Sequence, residues 1–211
     1  MNSSALDIQI ARRTAWPVSD LENMWRLRAE IFYYQMGWDV HVENGMERDS
    51  YDELDPHYLL MKRHDGSVQG CMRLLPTLGP NMLRDVFPSL LRGQPIPADA
   101  HTWELSRFVF ARSGTAEDHP SRLAQIRAAL HQLSCFAQAR DIRHFVMVTT
   151  PAVQHLLDQL GIRALPLCLS TRFGIDNAVV LDVPLTAANR RAVAPIAIPL
   201  TPVSEAYPVR A

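Results

Sequence analysis

A chain of 211 residues, 47% hydrophobic and 20% charged, can bury one sizeable core, and a single domain over residues 1–211 is the expected organisation. Its 21 Lys and Arg against 22 Asp and Glu leave a formal net charge of −1 without any basic block, which argues against nucleic acid as a partner and against a membrane surface. Arg12 and Arg13 interrupt the first twenty residues, so no signal-peptide core is expected, and no apolar run reaches the length of a bilayer. Cys71, Cys135 and Cys168 are few and widely spaced, as reduced thiols of a cytoplasmic protein would be. The histidines form no paired ligand motif, so no metal site is expected.

Ser19-Asp20-Leu21-Glu22 offers a capping box, and the helix it opens can run to Gly37. Leu21, Met24, Trp25, Leu27, Ile31 and Tyr34 make its apolar stripe, with Arg28 and Phe32 four apart on an adjoining face. A polar stretch over about 39–56 follows, long enough to carry function. Residues 57–61 and 68–75 read as strands around an Asp65-Gly66 turn. Five prolines between Pro76 and Pro97 limit that segment to loop and short helical pieces. A strand over 102–110 comes next, then an amphipathic helix over 121–140, a strand over 144–149 and a helix over 152–160 stopped by Gly161. Residues 165–171 and 178–183 read as the last strands, and a proline-rich tail starts near 195. Helices around a mostly antiparallel sheet, with one βαβ step after Phe110, give an α+β expectation.

The densest chemistry lies in Trp103-Glu104-Leu105-Ser106-Arg107-Phe108. Simple alternation puts Trp103, Leu105, Arg107 and Val109 on one face and Glu104, Ser106 and Phe108 on the other. Charge on both faces of one strand calls for ionic partners elsewhere, or for a bulge that turns both charges into one pocket. Arg28, Asp49, Asp52 and Arg73 can supply partners, and with Glu104 and Arg107 they form a set of three cations and three anions. Burying such charges unpaired costs several kcal/mol, so a neutral buried network with an open ligand position is the expectation for them. Phe32, Trp38 and Phe87 read either as core aromatics and a loop anchor or as a lid over a ligand.

Arg28-x-x-x-Phe32, Gly37-Trp38, Asp49-x-Tyr51-Asp52, Gly70-Cys71-x-Arg73-Leu74, Gly79-Pro80-x-Met82-Leu83, Phe87-Pro88 and the Trp103 to Phe108 run occur in this order. Together they resemble the acyl-homoserine-lactone synthases, which make quorum-sensing autoinducers. The resemblance implies an N-acetyltransferase-like fold, with a central mixed, mostly antiparallel sheet splayed to admit an acyl-pantetheine arm. It implies S-adenosylmethionine as a substrate, no permanently bound cofactor, and an acyl thioester donor on acyl carrier protein or coenzyme A.

Under that resemblance Glu104, Ser106 and Arg107 are the catalytic set, and Arg28, Phe32, Trp38 and Phe108 bind S-adenosylmethionine. Asp49, Asp52 and Arg73 form the electrostatic network, while Met147, Thr149 and Phe87 line the acyl chain. A threonine matching Thr149 goes with 3-oxo-acyl substrates in the family, although the residue also suits a strand. An α-amine with pKa ~7.7–8.0 must lose a proton before it attacks a thioester, and a carboxyl near ~4.3 is a weak base for it unless raised. Arg73 and Arg107 would lower Glu104 further, so they are expected to be engaged mainly by Asp49 and Asp52. Backbone N–H groups near Ser106 and Arg107 could hold the oxyanion.

The segment 154–159 lacks Lys and Arg, where carrier-dependent relatives are basic, leaving Arg140, Arg143 and Arg163 as substitutes. The alternatives are an N-acyltransferase of the acetyl-CoA type and a non-catalytic acyl-lipid-binding module. The first would want a Gln/Arg-x-x-Gly-x-Gly/Ala turn before the helix, a spacing that residues 112–120 lack.

Overall fold

Alternating apolar residues set the strands and 3.6-residue spacing sets the helices of a computed structural model that describes residues 6–111, 119–173 and 176–195. The strands are β1 (Asp7–Arg12), β2 (Val42–Glu43), β3 (Met46–Glu47), β4 (His57–Lys62), β5 (Val68–Pro76), β6 (Thr102–Phe110), β7 (His144–Thr149), β8 (Leu165–Pro166), β9 (Thr171–Phe173) and β10 (Asp176–Pro184). The α-helices are α1 (Val18–Arg28), α2 (Met82–Asp85), α3 (His119–Gln138), α4 (Pro151–Gln159) and α5 (Ala187–Val193). One sheet runs in the order β1-β4-β5-β6-β7-β10-β8, with β9 on β10, and β2 and β3 form a separate hairpin. Among the described residues no helix is long and apolar enough to cross a membrane.

All pairings in the main sheet are antiparallel except β6 with β7, the pair joined through α3 as the expected βαβ step. That parallel pairing covers only Thr102, Glu104 and the residue between them, against His144 to Val146. Beyond Glu104, β6 pairs with β5 alone and β7 with β10 alone, so the sheet parts there. This is the splay expected of the fold.

The two faces divide the core. Leu59, Met72, Leu74, Leu105, Phe145 and Leu181 pack with Ile126, Leu130 and Leu133 of α3 and with Leu157 of α4. On the other face Tyr58, Leu60, Cys71 and Val109 meet Met24, Trp25 and Phe32, while Val146 and Val180 meet Leu83, Leu90 and Leu91. The charged residues singled out above collect on this second face.

The first helix departs from expectation. α1 starts after Pro17, not at the Ser19 capping box, and from Ala29 to Gln35 it winds as a π-helix before Gly37 stops it at φ +66°. A π-turn shifts the phase of the stripe, so Tyr34 is 63% exposed whereas Arg28 and Phe32 are buried. The polar stretch contains the β2–β3 hairpin, turned by Asn44 and Gly45 at φ +53° and +73°, as the tightest hairpin turn requires. The strand expected over 165–171 is two short pieces, because Pro166 has no N–H for the ladder. The tail from 196 and the connection 112–118 lie outside the described residues.

Candidate active site

The spacing of Asp49 and Asp52 does structural work first. Asp49 accepts the Tyr51 amide at 3.0 Å, and Asp52 reaches back to accept the Asp49 amide at 3.0 Å, a reciprocal cap on the 3₁₀ turn Ser50–Leu54. The cap aims both carboxylates at the sheet. Arg28, at the end of α1, gives both terminal nitrogens to Asp52 at 2.9 Å and its Nε to Glu47 at 2.5 Å. Arg73 on β5 gives Nη1 to Asp49 at 2.5 Å and to Asp52 at 2.9 Å, with Nε on the Ser106 hydroxyl at 3.2 Å. Arg107 gives Nη2 to Glu47 at 2.8 Å and to Asp49 at 2.7 Å. Tyr58 adds its hydroxyl proton to Asp52 at 2.5 Å.

The network is neutral, as expected, but with different members. Glu47, fully buried, is the third anion. Glu104 stands outside it. Arg107 is therefore held by Glu47 and Asp49, not by Asp49 and Asp52. Burial would raise the Asp52 carboxyl, yet Arg28 and Arg73 outweigh it and hold the group well below the usual carboxylate range. Asp49 is lowered in the same way by Arg73 and Arg107.

The bulge anticipated near Glu104 is present. Arg73 pairs with Ser106 and Cys71 with Val109, so Arg107 and Phe108 together oppose Met72. Arg107 takes φ +54°, a left-handed conformation that costs a non-glycine residue of order 1–3 kcal/mol, which its carboxylate partners offset. The extra residue inverts the alternation: Arg107 joins Ser106 on the charged face, and Phe108 turns to the other. Phe108 therefore does not meet Arg28, Phe32 and Trp38. It packs edge-on to Phe110, 5.0 Å between centroids, against the apolar core.

Glu104, 1% exposed, lies where the sheet parts. Its Oε2 accepts the Leu83 amide of α2 at 2.6 Å, whereas Oε1 is buried without a hydrogen-bond partner. Burial raises its pKa, outweighing the Leu83 and Met82 amides, Arg73 and the nearby Ser106 hydroxyl. Such a carboxylate is a better base than an exposed one. Cys71, by contrast, is pushed up to about 12 by burial and is inert as a nucleophile.

Phe32 and Trp38 stack at 5.1 Å and 12° between ring planes, and the Arg107 guanidinium lies 5.4 Å from the Phe32 ring. Arg28 is nearby, with carboxylate acceptors on all three nitrogens and no exposed surface. The acyl-chain set is split by the sheet. Met147 borders an apolar cavity of about 50 Å³ shared with Leu105, Phe108, Leu130 and Phe145. Thr149 follows Met147 on the same strand face and is buried. Phe87 packs on the opposite face with Leu83, Val146 and Val180. Of the arginines considered for a carrier protein, Arg143 pairs with Asp141 at 3.0 Å and Arg140 lies 3.9 Å over the Phe136 ring.

Glu47, Tyr58 and Met82 escaped the reading of individual residues. Met82 stood inside a quoted motif and Glu47 follows the Asn44-Gly45 turn, the one local signal that a short hairpin delivers it.

The fold is one shared with an acyl-CoA N-acyltransferase from Pseudomonas aeruginosa, at 14% identity and a TM-score of 0.53, covering 84% of this chain and 99% of that one. The particular family is set by sequence: the family described as autoinducer synthase matches residues 14–193, and the chain belongs to it. An acyl-homoserine-lactone synthase of Pseudomonas aeruginosa is 36% identical over 187 residues, which is 87% of this chain and 91% of that protein. The crystal structure of the AHL synthase LasI superposes with a TM-score of 0.80 at 36% identity, covering 90% of this chain and 95% of that one. A structure of TofI in a ternary complex with an inhibitor and MTA matches with a TM-score of 0.76 at 28% identity, covering 89% and 96%.

Proposed function

We infer that this chain is an acyl-homoserine-lactone synthase that acylates the α-amine of S-adenosylmethionine from an acyl thioester and then closes the lactone, releasing methylthioadenosine. The observation that carries the roles is the buried, unpartnered Oε1 of Glu104 at the point where β6 and β7 separate. Glu104 Oε1 accepts the amine proton, directly or through a water. The freed nitrogen attacks the thioester carbonyl, backbone N–H groups of the bulge at Ser106 and Arg107 stabilise the oxyanion, and collapse of the adduct breaks the C–S bond, the carrier's sulfur leaving as the thiol with the proton taken from the amine. The substrate's carboxylate then displaces the sulfonium at the γ-carbon, a step that needs orientation more than acid-base help.

Phe32 and Trp38 enclose S-adenosylmethionine on the charged face, and Arg28, Asp52 and Glu47 hold the walls. The acyl chain enters past Phe87, crosses the sheet through the gap after Glu104 and ends among Met147, Thr149 and Phe108. The donor is a thioester of acyl carrier protein or coenzyme A. The reaction belongs in the cytoplasm, where thiols such as the exposed Cys135 stay reduced.

Incubation of purified protein with S-adenosylmethionine and acyl thioesters of several chain lengths, read by mass spectrometry, is the test. Acyl-homoserine lactone and methylthioadenosine are expected in equal amounts. Folded protein that yields neither product with any donor overturns the reading.

A further inference from the structure

Asn81 stands at the position that the motif Gly79-Pro80-x-Met82-Leu83 leaves open, yet it is buried, with both ends of its carboxamide engaged. Its Oδ1 accepts the Arg84 amide at 3.0 Å, which caps α2. Its Nδ2 donates to the Gly79 carbonyl at 3.0 Å and to the Thr77 carbonyl at 3.3 Å. Neither proton of the NH₂ is left for a ligand, so Asn81 can serve the chemistry only through another residue.

That residue is Glu104. α2 is a single turn of four residues, too short to be held in place by its own backbone bonds. The amides of its first turn are shared out: Asn81 Oδ1 takes Arg84 N–H, and Glu104 Oε2 takes Leu83 N–H at 2.6 Å. A second link ties the turn back to the strand that carries Glu104. The buried Thr77 hydroxyl donates to the Thr102 carbonyl at 2.7 Å, and the Thr77 amide reaches the same oxygen at 3.2 Å. Thr102 lies two residues before Glu104 on β6. The bonds close a ring, from Glu104 through Leu83, Asn81, Thr77 and Thr102 back to Glu104.

We propose that Asn81 is a positioning residue for the reaction: it holds the Leu83 amide on Glu104 Oε2 and so leaves Oε1 as the oxygen that acts as base. A carboxylate with one oxygen fastened presents the other in a single direction. Released, it rotates and loses a hydrogen bond to its charged form, which raises its pKa beyond the rise that burial already causes.

The inference rests on Glu104 being the base of the proposed reaction, and its test keeps the two claims apart. With S-adenosylmethionine and an acyl thioester, kcat/KM is measured against pH for wild type, Asn81→Ala and Asn81→Ser, beside their melting temperatures. Asn81→Ala removes the cap and both donations. At pH ~7 its kcat/KM should fall about tenfold, with the acid limb moved to higher pH and the loss shrinking as pH rises. Asn81→Ser restores a cap acceptor and should recover most of the loss. Carbon-13 spectra follow the Glu104 carboxyl without turnover, its signal identified by its disappearance in Glu104→Gln, and it should titrate at higher pH in Asn81→Ala than in wild type. If Asn81→Ala does not fold, Thr77→Val, which cuts the tie to Thr102, is read in the same two ways. A fall in kcat/KM with the acid limb unmoved, or an unmoved Glu104 titration, overturns the positioning role. A Glu104 titration that moves as expected in a protein that releases no lactone upholds the tie between Asn81 and Glu104 and overturns the functional reading instead.

Discussion

Glu47→Gln is the sharpest perturbation of the buried network. In the wild-type chain Glu47 Oε2 accepts Arg28 Nε at 2.5 Å, and Oε1 accepts Arg107 Nη2 at 2.8 Å. Glutamine must turn an NH₂ toward one of these donors and leaves three guanidinium groups facing two carboxylates, with 0% exposure at Arg28 and Glu47 to let water compensate. Removing one partner from such a buried pair costs about 3–5 kcal/mol. For a chain of 211 residues that is a fall in Tm of roughly 6–20 °C. Asp49→Asn is the comparison, because its side chain is 20% exposed and solvent can satisfy part of what is lost, so a smaller drop of about 1–2 kcal/mol is expected. Urea melts of the two variants give the numbers directly. A Glu47→Gln loss below that of Asp49→Asn would refute the assignment of Glu47 as the third anion.

Three further outcomes follow from the geometry. Met147→Trp fills a cavity of about 50 Å³, and each methylene that can no longer be buried costs about 0.8 kcal/mol, roughly fourfold in binding, so the product spectrum should shift to shorter acyl chains by mass spectrometry. His57, packed between Trp103 and Phe136, is lowered to about 4 by burial, then by Arg140 and Arg12. Its unfolded form binds a proton from about pH 6.5 downward, so the stability it contributes is present above that pH and lost as pH falls toward 4. Discounted for its partial exposure, the loss between pH 7.5 and 5 is about 1 kcal/mol, and His57→Phe should abolish that part of the change in Tm. Asp49 and Asp52 act in a lower window: their folded pKa values are depressed, so their stabilisation is complete above the unfolded carboxyl range and is lost as pH drops below ~4, seen as cooperative acid unfolding by circular dichroism.

The strands were legible because the near-continuous apolar runs in 57–62, 68–76 and 144–149 follow from a sheet buried on both faces. Arg73 was legible as a charge among core-like neighbours, and Arg28, Asp49 and Asp52 as ionic partners that burying charge requires. Phase was harder to read. Alternation carried through Arg107 assigns Phe108 to the wrong face, since a bulge is a backbone event fixed by tertiary ion pairs and leaves no periodic trace. Tyr34 fails for the same reason on a helix, where a π-turn rotates the stripe. Glu47 sits on a two-residue strand, too short for any period, and only the folded hairpin brings it to Arg28 and Arg107.

The central claim is that Glu104 Oε1 takes the proton from the attacking amine. Its pKa is raised by burial above the ordinary carboxylate value, so the acid limb of kcat/KM should lie above that value and should vanish in Glu104→Gln. Loss of the base should cost about 10²–10⁴ in turnover. Stability should not fall with it, because a carboxyl whose folded pKa is raised is destabilising when charged at neutral pH. Measuring kcat/KM against pH for wild type and Glu104→Gln, beside their melting temperatures, separates chemistry from structure. Turnover should collapse at an unchanged or higher Tm; turnover within about threefold of wild type, with the acid limb intact, would contradict the role of Glu104 as base.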